Sequence, residues 1–584
     1  MKTYSMKFTY SKDGFYIDGT KTKIVSGAMH YFRVFPEYWE DRLLTLKELG
    51  ANCVETYCAW NLHEKREGEF DFTDILDLNR YIETAKKLGL MVILRPGPYI
   101  CSECDMGGLP WWLLKYDDIS LRANNKRFLE KTKIYLGKIC DIIKPHLVSN
   151  GGNVIMIQIE NEYGVVGSDK VYLNALREIY LEKGVDIPFF TCDWEGTDTL
   201  TNGHLDGAIP FVNYRWDSKT AISKLKAFSP DTPNGVMELW NGKALLGKGA
   251  TIKRDLAEIK ISIEGALEYA DLMNLYMYHG GTNFGFFNGA QYQNGKFLVH
   301  AQSYDVQTPL GEYGNKTEKY YLEQKLICDY LGKEIVNQSK TPTLINYGEL
   351  NLKSITALSK LGQENYKVNY SKHPLNMEKY DQAHGLIAYT KDIDFKGKTL
   401  IELPEVHDKC KAYIDKELVF LAERDGENKF SVDISGNKKL TLLVEEWGRI
   451  NFDHEIYDKK GLIGSVLLNG ETLTDWTVYS YSLDCPKTLE NADGDGAKFY
   501  KYEISLIKNG DTYLEIDGFN HGVVYINGFI LGRYWSDTAQ KSFYIPNRLL
   551  TNGTNEVVVL DLEPNADKKT VKLSGKQIIL GYTE

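Results

Sequence analysis

Hydrophobic positions in the first 335 residues follow two alternating patterns. Short continuous apolar runs at 24–32, 53–60, 91–96, 154–159, 188–193, 208–214, 235–239 and 272–278 alternate with longer segments. In those segments, at 36–49, 75–88, 125–146, 170–183, 219–228, 252–267 and 317–333, apolar residues return every three to four positions. An apolar run without polar alternation predicts a strand buried on both faces, and the 3.6-residue period predicts an amphipathic helix. Pro36 and Gly50 frame the first of these helices. Eight strands, each followed by a helix or a helix-length stretch, predict an α/β fold. The expected form is a closed (β/α)8 TIM-type barrel, with a doubly wound open sheet as the alternative.

Beyond 336 the helical period gives way to short alternating or aromatic runs, at 386–389, 440–444, 512–516 and 522–526. Asn509-Gly510, Asn527-Gly528 and Asn552-Gly553 punctuate them. This predicts two all-β units of the sandwich or jelly-roll kind. The expected organisation is therefore a barrel over 1–335, a sandwich over 336–482 and a second, jelly-roll-like sandwich over 483–584, consistent with a chain of 584 residues being too long for one core.

Charge and cysteine content narrow the functional classes. A net charge of −11 argues against nucleic acid or an anionic membrane as the main partner, because both need a basic face. No stretch is long and apolar enough to span a bilayer, and the first residues lack the apolar core of a secretory signal, so a cytoplasmic protein is expected. Nine cysteines without framework spacing suit reduced thiols. Cys101-Ser102-Glu103-Cys104 has no second pair at zinc-ligand spacing, so no metal is expected there.

Candidate chemistry sits where the apolar runs stop. The 154–159 run ends in Glu160-Asn161-Glu162-Tyr163, and the seventh run delivers Glu238 next to Leu239-Trp240. Ligands of α/β barrels bind at the carboxyl ends of the strands, so these glutamates read either as chemistry or as solvated loop-entry residues. Two carboxylates facing each other across a barrel mouth are what glycoside hydrolysis requires: one to protonate the leaving oxygen, the other to attack the anomeric carbon or activate water. Tyr57 and Trp60 after the second strand, Glu103 after the third, and Tyr276 and Tyr278 on the eighth add stacking and hydrogen-bonding groups suited to a sugar, although an aromatic at a strand end also serves as core cover.

Four stretches carry a family resemblance: Ser26-Gly27-Ala28-Met29-His30-Tyr31-Phe32-Arg33; Arg95-Pro96-Gly97-Pro98-Tyr99-Ile100-Cys101 with Gly107-Gly108-Leu109-Pro110-Trp111-Trp112; Ile159-Glu160-Asn161-Glu162-Tyr163-Gly164; and Asn274-Leu275-Tyr276-Met277-Tyr278-His279-Gly280-Gly281-Thr282-Asn283. With them the chain resembles glycoside hydrolase family 35, the β-galactosidase family. The resemblance implies a retaining exo-β-galactosidase with Glu162 as acid/base and Glu238 as nucleophile. Tyr57, Glu103, Asn161, Tyr276 and Tyr304 would contact the terminal galactose, joined by Ser102 and Trp240. Glu160 would either support the acid electrostatically or be structural. No cofactor is implied; the partner is an oligosaccharide, and a homodimer is the expected assembly. Lys243, Cys104 and Val306 depart from the family pattern, which leaves open a retaining exo-glycosidase for another sugar, such as glucosamine or a modified galactose. An inactive carbohydrate-binding protein is the third reading.

Overall fold

The structure is a computed structural model that describes residues 6–242, 251–252, 254–305, 307–566, 568–580 and 582–583. Eight parallel strands close into a barrel: β1 (Ile24–Met29), β2 (Cys53–Tyr57), β3 (Met91–Arg95), β4 (Val154–Gln158), β5 (Phe189–Trp194), β6 (Ile209–Tyr214), β7 (Gly235–Trp240) and β8 (Leu272–His279). Closure is made by β8 on β1, with Leu272 opposite Ile24 and Asn274 opposite Ser26. Every residue of β1 to β4 is buried, as unalternating apolar runs require when helices cover the outside.

The covering helices are α1 (Pro36–Glu48), α2 (Leu78–Lys87), α3 (Lys126–Ile143), α4 (Lys170–Glu182), α5 (Thr197–Gly203), α6 (Ser218–Phe228), α7 (Leu256–Tyr269) and α8 (Glu318–Leu331). Their starts are set by capping side chains. Asp77, Asn125, Asp169, Asp217, Asp255 and Thr317 each accept a hydrogen bond from a backbone N–H of the first turn. For this reason the helix expected from 75 begins at Leu78, behind the cap of Asp77, and the one expected from 252 begins at Leu256, behind Asp255. The strands expected to reach 32 and 60 stop at Met29 and Tyr57. Short helical turns at Tyr31–Arg33 and Trp60–His63 follow them and turn the chain over the barrel mouth.

The two β units differ from the expected boundaries. One sheet runs in the order Lys367–Ser371, Trp476–Tyr481, Leu386–Glu402, Lys429–Glu445, Lys409–Ile414, Glu417–Glu423, around a core that includes Ile387, Leu442 and Trp476. The last unit packs a five-stranded sheet against a four-stranded one around Leu514, Val524, Val559 and Val571. It also takes residues placed by sequence in the preceding unit. Gly348 pairs with Leu573, and Leu352 and Ile355 pair with Tyr502 and Tyr500. The chain thus lays down one edge of the last unit, builds the middle unit, and returns at Lys498. A boundary at 336 therefore misassigns 348–357, because a partly exposed edge strand gives no sign that its partner lies about 150 residues away.

The middle unit reaches the barrel mouth through the loop after Glu445. Arg449 lies buried at this junction. Its backbone N–H donates to Asp105 Oδ1 at 2.6 Å and its Nη2 to Glu378 Oε1 at 2.7 Å, while Nη1 stands 3.3 Å from Asp105 Oδ2. Replacing Arg449 by Met leaves two buried carboxylates uncompensated, a loss of about 3–5 kcal/mol. Urea unfolding followed by tryptophan fluorescence should show that drop, and an unchanged midpoint would remove the strut from the account.

Candidate active site

β4 ends at Gln158, and the next residues turn sharply. Glu160 and Glu162 both have left-handed backbones, with φ of 61° and 49°, a conformation that costs a non-glycine residue about 1 kcal/mol or more. The two crooks send the glutamates to different fates. Glu160 is clamped by Arg122, from Nε to Oε1 at 2.9 Å and Nη2 to Oε2 at 2.8 Å, and also accepts from Tyr172 OH and the Asn161 N–H. Glu162 faces the cavity. Its Oε1 accepts from Trp194 Nε1 at 2.9 Å and Asn213 Nδ2 at 2.7 Å. Burial pushes its carboxyl up to about 8, the charges of Glu238 and Asp193 add to this, and the Asn213 hydrogen bond opposes it.

Glu238, on β7, has the opposite environment. Tyr57 OH donates to Oε1 at 2.8 Å, Arg95 Nη2 to the same oxygen at 2.7 Å, and Trp240 Nε1 to Oε2 at 2.9 Å. Three donors, one of them a buried guanidinium, fix both oxygens of the side chain in place. Arg95 organises the layer below: it also donates to Asn161 Oδ1 at 2.7 Å and to Gln158, and it lies 3.7 Å from Glu55. Burial, against the pull of Arg95, pushes Glu55 up to about 7.

Opposite the acid, the loop after β3 carries Ser102 and Glu103, again with left-handed backbones (φ 52° and 49°). Arg33 holds the loop, donating to Ser102 Oγ at 2.7 Å and to its carbonyl at 2.5 Å, while Asn283 accepts from Arg33 Nε at 2.7 Å. Tyr304 lies over the Arg33 guanidinium at 4.0 Å and donates its hydroxyl to Glu103, with the Tyr276 hydroxyl 3.3 Å away. Burial holds the Glu103 carboxyl above its ordinary range. Trp194 stacks on Phe452 at 5.9 Å and meets the edge of Trp240 at 6.3 Å, forming an aromatic wall beside Glu162. The cavity between these groups measures about 380 Å³.

Of the residues expected from sequence, Glu162, Glu238, Glu103, Ser102, Tyr276, Tyr304 and Trp240 line this cavity. Tyr57 and Asn161 do not; they lie one layer beneath, where both share the Arg95 network that holds Glu238. Glu160 is not a ligand group either, since its oxygens are taken by Arg122, Tyr172 and the backbone. Trp60 stacks on Tyr135 at 5.0 Å and Tyr278 bonds the Arg42 carbonyl, so both are core. Cys104 is buried behind Cys101, and both are free thiols. Lys243 and Val306 lie outside the described residues.

Sequence reasoning missed Trp194, Asn213, Arg215, Asn451 and Phe452. Trp194 and Asn213 sit at strand ends, where the rule used for the glutamates would have found them. Asn451 and Phe452 come from the middle β unit and carry no local signal.

Comparison with known proteins matches this architecture. The profile of glycosyl hydrolases family 35 covers residues 14–330. Those of the β-galactosidase first all-beta domain and galactose-binding domain cover 374–483 and 497–555. Beta-galactosidase-1-like protein 3 of Rattus norvegicus is 36% identical over 94% of this chain and 88% of its own length. A beta-galactosidase of Xanthomonas manihotis is 35% identical over 90% of this chain and 89% of its own. Beta-galactosidase 8 of Oryza sativa subsp. japonica is 30% identical over 97% and 94%. With the barrel, the paired carboxylates and matches along most of its length, the chain belongs to glycosyl hydrolases family 35 and is a glycoside hydrolase.

Proposed function

We propose that this glycoside hydrolase is a retaining exo-β-galactosidase that removes terminal galactose from the non-reducing end of oligosaccharides by double displacement. The observation that carries this reading is the opposed environments of the two carboxylates. Glu238 is fixed by hydrogen bonds from Arg95, Tyr57 and Trp240, whereas burial and the charge of Glu238 push the Glu162 carboxyl up to about 8, so that it carries a proton at neutral pH. A buried carboxyl that keeps its proton suits the acid, and a carboxylate fixed by donors suits the nucleophile.

In the first half-reaction Glu238 attacks the anomeric carbon while Glu162 gives its proton to the departing oxygen. In the second, Glu162 takes a proton from water, which displaces Glu238 and leaves the product in its original configuration. In this reading Glu103, Tyr304 and Tyr276 bind hydroxyls of the sugar held over Glu238, and Trp194, Trp240 and Phe452 stack on the unit that leaves. The names of the relatives supply the choice of galactose. Initial rates on matched p-nitrophenyl β-glycosides test it: the galactoside should dominate, and dominance of the glucosaminide or another sugar would replace the galactosidase reading while leaving the mechanism in place.

A pH dependence follows from Glu162. With its carboxyl pushed up to about 8, the acid is protonated below that pH, so kcat/KM should fall as pH rises through about 8. Asn213 stabilises the ionised form, so Asn213→Ala should move this limb to higher pH. A limb that moves down, or stays in place, would show that Asn213 does not tune the acid.

A further inference from the structure

Among the described residues lining the cavity, three are carboxylates, Glu103, Glu162 and Glu238, and one is a cation, Arg215. Arg215 lies just past the end of β6, two residues after Asn213, the side chain that holds Glu162. It therefore stands on the acid's side of the cavity, where the departing unit sits, and away from the Glu103–Tyr304 side.

Its guanidinium lies 4.5 Å from the ring centre of Trp216, and the guanidinium of Arg254 lies 4.5 Å from the same ring. The two arginines differ in employment. Arg254 is buried and committed to structure, donating to the Trp240 carbonyl at 2.6 Å and to Ser262 Oγ at 3.1 Å. Burial, with the adjacent charge of Arg215, pushes Arg254 down to about 10. Arg215 is half-buried, its carbonyl accepts from Ser262 Oγ at 3.4 Å, and no carboxylate among the described residues forms an ion pair with it. A guanidinium held over an indole ring keeps N–H donors available for a planar or tetrahedral anion.

Arg215 pairs with none of Glu103, Glu162 and Glu238, which line the same cavity, and its position beside Arg254 costs Coulomb energy. Such an arrangement is accounted for if a ligand supplies the missing anion. Resting on the glycosidase reading above, we propose that Arg215 is a specificity-determining residue that selects substrates whose leaving unit carries an anionic group, the carboxylate of a uronic acid or a sulfate ester, over the neutral sugar.

The test compares galactosyl-β-glucose, galactosyl-β-glucuronate and galactosyl-β-glucose 6-sulfate, each in β-1,2, β-1,3 and β-1,4 linkage, on the full chain. In at least one linkage a charged member should exceed its neutral counterpart in kcat/KM by about fivefold or more, carried mainly by KM and reduced by added salt. The glucuronate and sulfate arms separate the two sources of charge. In Arg215→Gln the ratio should fall to about one, and in Arg215→Lys part of it should remain. A wild-type ratio near or below one in every linkage, no turnover of any charged member, or a ratio unchanged in Arg215→Gln overturns the proposal. Failure to hydrolyse even p-nitrophenyl β-galactoside would instead remove the galactosidase reading on which it rests.

Discussion

Replacement of Glu238 by Gln is expected to lower kcat by on the order of 10⁵-fold or more, the scale seen when a covalent nucleophile is removed. The amide has nearly the shape of the carboxylate, and its oxygen can still accept from Tyr57 and Arg95, which hold Oε1 at 2.8 and 2.7 Å. Arg95 also keeps Asn161 and Gln158 as partners. The variant should therefore fold with wild-type far-UV circular dichroism and an unfolding midpoint close to wild type. What it loses is the negative charge proposed to meet the cationic anomeric carbon. Azide added to Glu238→Gly, in which the side chain is removed, should enter from the vacated face and return an α-galactosyl azide from an activated β-galactoside. A β-azide from this variant would place the nucleophile elsewhere.

The second large effect is that of Glu162→Gln, and its size should depend on the leaving group. A protonated carboxyl is needed only to the extent that the departing oxygen needs its proton, so disaccharides should lose about 10²–10⁴-fold. Cleavage of 2,4-dinitrophenyl β-galactoside, whose leaving group departs as a stable anion, should lose far less in its first step. The galactosyl-enzyme then accumulates, because no base activates water, and azide should speed turnover to give the β-azide. The alkaline limb of the pH profile should disappear with the carboxyl that causes it. Equal losses for both substrates would contradict the assignment of Glu162 as the acid.

The barrel was legible because each of its strands is buried on both faces and so cannot alternate. Two helix starts, expected at 75 and 252, lie at Leu78 and Leu256, behind the capping groups of Asp77 and Asp255. The paired carboxylates were legible from the strand-end rule. The difference between Glu160 and Glu162 came only from the family resemblance and not from that rule, since both stand in the same Glu-Asn-Glu and both have left-handed backbones. What separates them is Arg122, a residue 38 positions from Glu160 that reaches the first glutamate and not the second. Long-range partners account for the other gaps. Phe452 joins Trp194 across 258 positions, and 348–357 pairs with strands beyond 497. Such contacts are fixed by topology, and local pattern does not encode them.

Glu238 is expected to form a covalent bond to the anomeric carbon of galactose. The most direct test is to incubate the enzyme with 2,4-dinitrophenyl 2-deoxy-2-fluoro-β-galactoside, whose electron-poor ring slows release of the glycosyl-enzyme, and to map the labelled peptide by mass spectrometry. The predicted result is one fluorogalactosyl group per chain, on the peptide that contains Glu238, formed as activity is lost. A label on the Glu162 peptide, or rapid turnover of the reagent without any label while p-nitrophenyl β-galactoside is hydrolysed, would contradict it.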